Sequence, residues 1–405
     1  MISTFLSRSA LARVLQSLLT ADLKAARGGV SGRCGSSHSL EGVWPEELQI
    51  AGDGLSSLGC DSLDVMSLAA ATNEMFHLYE AKNEGDLLSA ETFGDWLDII
   101  EAAWNGGVVR VTFMTSGSTG PPKRCTHELS HLQTEIRYLA EIFAGRRRII
   151  ALAPAHHIYG FIFTAMLPDQ LGIEVVPAER LGPGGFARNL RTGDLIVSIP
   201  DRWQWLNQTL ATWTKGVDGV VSTAPCPSEL IRSLMQRGLN GMTEVYGSSE
   251  TSGIAVRTWA EDTYRLMPHW RRISIDPGGT DLIHVSGLRV RLMDRIEFGK
   301  DDRFVLGGRR DGAAQVGGTN VYPSRIAALL LARPGVAKAA VRLMRPEEGV
   351  RLKAFIVPVP EACPEDLRRE LEIWIDTNLM AVERPKALSF GAVLAVDSFG
   401  EVLDW

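Results

Sequence analysis

The sequence is poor in cysteine, and its cysteines are not arranged in pairs. The 405 residues contain five, Cys34, Cys60, Cys125, Cys226 and Cys363, without a C-x-x-C spacing. A disulfide framework needs a denser set of cysteines, and a zinc site needs ligands paired at short spacing. The pattern therefore argues against both and predicts a protein of a reducing compartment, the cytoplasm.

An excess of basic residues is also missing. Lys and Arg number 42 against 48 Asp and Glu, which gives a formal net charge of −6. Proteins that bind nucleic acid through its phosphates usually present a basic surface. Nucleic acid is therefore not a predicted partner.

No apolar run in the sequence suits a membrane span. The longest, residues 149–167, contains Pro154 and the pair His156 and His157, which favours buried strand and loop. Residues 1–19 carry arginine and serine but no acidic residue, as transit peptides do, yet their apolar residues recur at helical spacing. We predict an amphipathic N-terminal helix and no membrane partner.

The two common nucleotide motifs are absent, but a related loop is present. A Walker loop has lysine directly after its second glycine, whereas two prolines follow Gly120, and a Rossmann fingerprint needs a glycine two residues before Gly117. The loop T-S-G-S-T-G-P-P-K follows an apolar β-branched run, 108–114, and precedes a stretch with helical spacing. Its backbone N–H groups, hydroxyls and lysine suit a phosphate, with a plain surface loop as the alternative. The candidate phosphate-binding residues are Thr115, Ser116, Gly117, Ser118, Thr119, Gly120 and Lys123.

The chain divides into three segments, in keeping with the two or three domains that its length predicts. Residues 1–105 read as helices around a long polar loop, 28–57, without a strand. Residues 106–308 alternate β-branched runs with helical stretches, which predicts an α/β core with a largely parallel sheet. Residues 309–405 predict a small α+β domain.

Individual elements are predicted in the second and third segments. The predicted strands are residues 108–114, 148–153, 173–177, 194–199, 217–223, 338–343 and 352–359. The predicted helices are residues 128–143, 323–332 and 364–379.

Further motifs follow the loop in a fixed order. They are S-T-A-P at 222–225, V-Y-G-S-S-E-T at 245–251, M-D at 293–294, and glycine-containing motifs at 308–312 and 317–323. With the phosphate loop, this series resembles the AMP-forming acyl-CoA synthetases of the adenylate-forming superfamily, over residues 108–405. The resemblance implies an adenylation core with a C-terminal lid domain. It also implies an ATP-dependent ligase that uses Mg²⁺, coenzyme A and a small carboxylic acid.

The resemblance implies roles for single residues. The phosphate loop with Lys123 would hold the leaving pyrophosphate, and Glu250 would hold Mg²⁺ together with phosphate oxygens. The implied adenine-binding residues are Thr223, Ala224, Pro225, Tyr246 and Gly247. Asp294 and Arg309 would bind the ribose hydroxyls, and Asp311 would be the hinge about which the lid rotates.

The motif H-I-Y-G at 157–160 resembles the family's segment at the acyl pocket. His157 and Tyr159 are therefore expected there, and Lys123, His157 and Glu250 are the expected catalytic residues. Simple core packing is the alternative for the aromatic residues.

Three positions depart from the family pattern. Ser249 stands where threonine is usual, and Gln315 stands where a lysine usually follows the hinge. Glu401 stands where the family has the lysine that bridges the carboxylate and the α-phosphate. An anion beside two anions should cost at least the ~10²–10³ in rate that one preorganised donor supplies. We expect slow adenylation unless Lys386 or Arg384 substitutes.

The first segment resembles an acyl carrier protein. It has a first helix, a long loop, the sequence D-S-L at 61–63 at the start of a helix, and a late helix that opens at Thr92. In that family the serine, here Ser62, carries phosphopantetheine. An ordinary N-cap in a helical segment without a prosthetic group is the alternative.

A short ligase with this front end resembles the para-coumarate–CoA ligases associated with photoactive yellow protein. The leading hypothesis is a ligase that joins a hydroxycinnamate or similar aryl acid to coenzyme A through an acyl-adenylate. A second hypothesis loads the acid onto a carrier-protein phosphopantetheine. A third is a degenerate homologue that binds an acyl group or nucleotide with weak or no adenylation.

Overall fold

The structure is a computed structural model. It describes residues 5–26, 42–52, 56–82, 85–114, 123–178, 185–276, 279–292, 294–299, 301–309, 312–317, 319–345, 348–349 and 351–393. The predicted phosphate loop Thr115–Gly120, the predicted hinge Asp311 and the divergent Glu401 lie outside these residues, and so does Cys34.

The N-terminal segment forms helices, as predicted, with two short strands among its described residues. Its elements are α1 (Arg8–Ala26), β1 (Gln49–Ala51), β2 (Ser57–Cys60), α2 (Ser62–Phe76) and α3 (Phe93–Asn105). The prediction of a segment without strands is wrong, since β1 pairs in parallel with β2. Strands of three and four residues are too short for an alternating pattern to be recognised.

The predicted N-terminal helix is confirmed by α1, which is amphipathic. It buries Leu11, Val14, Leu15 and Leu19, and each such burial is worth roughly 1.5–3 kcal/mol. These side chains share one hydrophobic cluster with α2, α3 and residues of the central sheet. The predicted boundary at 105/106 between a carrier-like segment and the core stays a prediction, and the described residues on its two sides pack together.

The central segment alternates strands and helices. Its elements are β3 (Arg110–Met114), β4 (Arg124–Glu128), α4 (Leu129–Ile142), β5 (Arg148–Ala151), α5 (Ile158–Phe161), α6 (Leu167–Leu171), β6 (Glu174–Pro177), α7 (Phe186–Asn189), β7 (Asp194–Ser198), α8 (Pro200–Thr209), β8 (Asp218–Val221), α9 (Ser228–Gln236), β9 (Gly241–Ser248), β10 (Ser252–Thr258), β11 (Tyr264–Leu266), β12 (Trp270–Asp276), β13 (Gly279–His284), β14 (Arg289–Leu292), β15 (Asp294–Phe298) and β16 (Arg303–Arg309).

Nine of the described strands form one sheet in the order β15-β16-β11-β10-β9-β8-β7-β5-β6. The part from β9 to β6 is parallel, and the part from β9 to β15 is antiparallel. Strands β12, β13 and β14 form a separate antiparallel sheet. The predicted α/β fold is confirmed. Because ligands bind at the carboxyl ends of parallel strands, the segments after β5, β8 and β9 are where a site is expected.

The strand before the phosphate loop belongs to a different sheet from the one predicted. Residues 110–114 form β3, but β3 pairs antiparallel with β4 and lies outside the nine-stranded sheet. The expected order of strand, loop and helix is therefore wrong, because β4 stands between the loop and α4. Burial alternates along β4, as is typical of a strand with one face toward the core.

The C-terminal segment has a hydrophobic cluster of its own. Its elements are β17 (Ala314–Val316), β18 (Thr319–Val321), α10 (Pro323–Leu331), β19 (Val336–Leu343), β20 (Leu352–Pro358), α11 (Pro364–Asn378) and β21 (Ala387–Phe390). The two predicted strands and two predicted helices of this segment are confirmed. In the parts of the chain that the structure describes, no helix combines the length and the apolar character needed to cross a membrane.

Candidate active site

Two predicted ATP-binding residues, Lys123 and Glu250, lie in contact. Lys123 directly precedes β4, and Glu250 lies in the turn between β9 and β10. The Nζ atom of Lys123 donates to Oε1 of Glu250 at 2.8 Å, and both side chains are about half exposed or more. The hydrogen bond and charge of Glu250 raise the pKa of Lys123. Partial burial opposes ionisation of Glu250, but hydrogen bonds that include one from Lys123 outweigh it and lower its pKa. Both groups are therefore charged at neutral pH and accessible to an anionic ligand.

A second contact joins the residues predicted for adenine and ribose. The hydroxyl of Tyr246, on β9, donates to Oδ2 of Asp294, the first residue of β15, at 2.6 Å. The Tyr246 ring packs against Tyr264 and Phe304, each with a centroid separation of 6.0 Å. Arg309 is the register partner of Asp294 on β16. The backbone thus brings both predicted ribose-binding residues to one place on the sheet.

The remaining adenine candidates lie at the carboxyl ends of β8 and β9, which are parallel neighbours. Thr223 has φ = 79°, a strained value for a β-branched residue, and strain of this kind is common at functional sites. It precedes Ala224 and Pro225. Gly247 is needed for steric reasons, because a Cβ there would lie 2.0 Å from the carbonyl oxygen of Ser252.

The predicted acyl-pocket residues follow β5. His157 caps α5 without a side-chain hydrogen bond to it, and burial lowers the pKa of its imidazole, which is neutral at pH 7. The ring of the neighbouring His156 contacts it in a tilted arrangement at a centroid distance of 4.2 Å, and Nδ1 of His156 lies 2.8 Å from the Ser17 hydroxyl of α1. The contact with Ser17 was not predicted, since nothing in the sequence links α1 to this segment.

Tyr159 is buried in the hydrophobic core. Its hydroxyl lies within hydrogen-bond distance of the carbonyl oxygens of Ser198 and Val220, at 3.1 and 3.0 Å. Its ring packs against Phe163. A place in the acyl pocket stays a prediction for this residue.

Ser62 is exposed at the first position of α2. The preceding Asp61 is the N-cap, and its carboxylate accepts from the backbone of Leu63 and Asp64. Helix α2 packs against α1 and β3. The geometry accounts for the D-S-L sequence as a helix start, and modification of Ser62 stays a prediction.

The protein groups at Glu250 could hold a metal ion only together with oxygens from a bound substrate. Among the described residues, no group of three His, Cys, Asp or Glu side chains is arranged to hold a metal ion. Mg²⁺ is commonly bound by one or two carboxylates together with substrate phosphates. An accessible Glu250 carboxylate beside a phosphate-binding lysine fits that pattern.

Comparison with known proteins identifies the family. The sequence model described as AMP-binding enzyme matches residues 78–294. A 4-coumarate–CoA ligase of Halorhodospira halophila is 35% identical over 400 residues, which is 96% of this chain and 97% of that protein. A 4-coumarate–CoA ligase of Cereibacter sphaeroides is 34% identical over 411 residues, 99% of this chain and 97% of that protein.

The fold agrees with this assignment. The amide bond synthetase of Marinactinospora thermotolerans superposes with a TM-score of 0.57 at 20% identity, covering 72% of this chain and 67% of that one. The superfamily that the order of the motifs indicated is confirmed. The chain belongs to the AMP-binding enzyme family within the adenylate-forming superfamily, and it is an AMP-forming acyl-CoA ligase.

Proposed function

We propose that this ligase activates 4-coumarate or a similar aryl acid through an acyl-adenylate. The proposal is supported by relatives of that name that match nearly the whole chain. The observation that carries the chemistry is the contact of Lys123 with Glu250. It sets a mobile cation beside a carboxylate suited to a metal, at the edge of the sheet where Tyr246 and Asp294 also meet.

In the first half of the reaction the acid's carboxylate oxygen attacks the α-phosphorus of ATP, and the bond to pyrophosphate breaks. Two anions must approach each other, so their charge has to be offset. Lys123 would donate from Nζ to the leaving pyrophosphate. Glu250 would hold Mg²⁺ together with phosphate oxygens, and the ion would neutralise charge on those oxygens.

In the second half the sulfur of coenzyme A attacks the acyl carbonyl carbon, the thioester forms and AMP leaves. The Tyr246 ring, backed by Tyr264 and Phe304, would offer a face to adenine. Asp294 would accept from the ribose hydroxyls through the oxygen that Tyr246 does not use, with Arg309 assisting. His157, uncharged because burial lowers its pKa, would border the acyl pocket without repelling or binding a charge.

Glu401 favours a second candidate, a homologue that binds nucleotide or acyl group with little adenylation. The chain has glutamate where the family's bridging lysine is expected. A carrier-bound thiol, including phosphopantetheine on Ser62, is the alternative acceptor to coenzyme A.

Pyrophosphate release with a panel of hydroxycinnamic, benzoic and fatty acids tests these candidates. We expect turnover with 4-coumarate and close analogues, with acyl-CoA as the product. Tight acyl-adenylate binding without pyrophosphate release would favour the second candidate. An acyl group retained on protein made with a phosphopantetheinyl transferase, together with the matching mass increase on Ser62, would favour the carrier.

A further inference from the structure

The turn that carries Glu250 has a strained backbone. It joins β9 to β10, and Ser248 and Ser252 face each other across it. Ser252 is buried and has φ = 57°, a left-handed conformation that favours glycine. Such strain persists only where the surroundings hold it in place.

Three side chains from other elements bind the backbone of the turn or of the first residues of β10. Nε2 of His127, on β4, lies 2.7 Å from the carbonyl oxygen of Ser249. Glu135, on α4, accepts from the backbone N–H of Gly253 at 3.1 Å and from the Ser252 side chain. Nε1 of Trp270 donates to the carbonyl oxygen of Gly253 at 2.9 Å. The residues on both sides of Glu250 are thereby fixed.

The Glu135 carboxyl is pressed directly against the backbone that follows the turn. A Cβ on Gly253 would lie 2.4 Å from Oε1 of Glu135 and 2.9 Å from Cε of Met267. Glu135 is 3% exposed, and burial raises its pKa to about 7. A buried carboxyl on a helix costs free energy unless it is hydrogen-bonded, and here the backbone N–H of Gly253 donates to it.

Three histidines near Glu135 are uncharged at neutral pH. A cavity of about 10 Å³ beside it is lined by His127, His131, Thr251, Ser252, His269 and His284, with apolar side chains. Burial lowers the pKa of His127, and it lowers those of His269 and His284 to about 4. The Gly253 N–H donates to the Glu135 carboxyl at 3.1 Å, and a hydrogen bond from the Ser252 side chain partly offsets the effect of burial on its pKa.

One continuous stretch of chain supplies both sides of this arrangement. Lys123 contacts the Glu250 carboxylate, and His127 and Glu135 follow on β4 and α4. We propose that Glu135 is a positioning residue for nucleotide binding, whose buried carboxyl fixes the β9–β10 turn so that Glu250 faces Lys123. Glu135 acts through the backbone. This inference rests on the proposed role of Glu250 toward Mg²⁺ and ATP.

The test compares Glu135→Ala, Glu135→Gln and the control Asp194→Ala. Asp194 is also a buried carboxylate, but it pairs with Arg148 at the amino ends of β5 and β7, away from the site. Both alanine variants should lower the melting temperature. Only Glu135→Ala should weaken MgATP binding, by roughly tenfold in calorimetry and in KM, with the KM for the acid unchanged. Glu135→Gln, which keeps an acceptor for the Gly253 N–H, should restore most of the affinity.

Ser252→Gly provides a variant whose folding is not at risk. Glycine adopts φ = 57° without strain and removes the hydroxyl donor to Glu135. We expect unchanged stability and weaker MgATP binding. Equal MgATP affinity in Glu135→Ala, Ser252→Gly and Asp194→Ala would overturn the inference. If Glu250→Gln alone leaves the Mg²⁺ dependence of ATP binding unchanged, the proposed role of Glu250 fails instead.

Discussion

The hydroxyl of Tyr246 donates to Oδ2 of Asp294 at 2.6 Å, across 48 positions of sequence. The two residues lie on β9 and on the edge strand β15, with β10, β11 and β16 between these strands in the sheet order. Each was predicted to bind a different part of the nucleoside. The bond holds the Tyr246 ring at its hydroxyl end and uses one of the two carboxylate oxygens of Asp294. It therefore fixes the spacing between a face for the base and an acceptor for the sugar.

Removal of this hydroxyl should weaken ATP binding without unfolding the protein. A hydrogen bond to a charged group is worth about 1.5 kcal/mol, so Tyr246→Phe should raise the KM for ATP roughly tenfold. Tyr264→Phe is the control, because Tyr264 packs in the same aromatic cluster. Steady-state kinetics at saturating acid measures both. Equal KM values in the two variants would mean that the Tyr246–Asp294 bond does not orient the nucleoside.

Loss of the Lys123 cation should affect catalysis and not stability. Lys123→Ala should lower kcat for pyrophosphate release by ~10²–10³, the usual cost of one preorganised donor. Its exposed ion pair contributes only about 0–1 kcal/mol to folding, so the melting temperature should hardly move. Arg124→Ala is the matched control, since the adjacent Arg124 pairs with Glu74 and not with Glu250. A comparable loss of rate in both variants would assign the effect to net charge.

Buried histidines should make the fold sensitive to acid. Burial lowers the pKa of His156 to about 3 and that of His269 and His284 to about 4. Below a pH of about 6.5 these imidazoles bind protons in the unfolded chain but stay neutral in the folded protein. The free energy of unfolding therefore falls as the pH falls. The pKa of Glu135, raised to about 7, changes stability in the opposite direction, because the folded state binds this proton more tightly than the unfolded state. The three histidines outnumber this single carboxyl.

Urea unfolding at pH 6.0 and 5.0 checks this prediction. The free energy of unfolding should fall between these two pH values. In His269→Gln the slope should decrease by about 1.4 kcal/mol per pH unit, the value of one proton. A slope that is the same in this variant and in the wild type would show that His269 titrates normally in the folded protein.

We expect Glu401 to limit the rate of the first half-reaction. If the family's lysine is needed here, Glu401→Lys should raise the rate of pyrophosphate release by ~10²–10³. Glu401→Gln, which only removes the negative charge, should give a smaller gain. Vigorous wild-type turnover that Glu401→Lys does not improve would show that another cation does this work.

The sequence predicted contacts best where a family motif assigns a chemical role to a residue. Motif order placed Lys123 and Glu250 in one site although 127 positions separate them, and the same holds for Tyr246 and Asp294. Helical periodicity predicted α1 and α4, because their apolar stripes are long enough to be recognised, and β-branched runs predicted the parallel strands.

Contacts that depend on tertiary packing were not predictable in this way. Strand β4 was missed because the helical pattern of α4 begins directly after it. Glu135 lies on the core side of an amphipathic helix, and nothing local indicates that its carboxyl meets Gly253, 118 positions later. The Ser17 contact with His156 is of the same kind.

The proposed activity is tested by incubating purified protein with ATP, Mg²⁺, 4-coumarate and coenzyme A and measuring pyrophosphate and thioester in the same sample. We predict equal amounts of pyrophosphate and 4-coumaroyl-CoA, with activity lost in Lys123→Ala. Pyrophosphate release with none of the aryl acids, or 4-coumarate turnover that survives in Lys123→Ala, would contradict it.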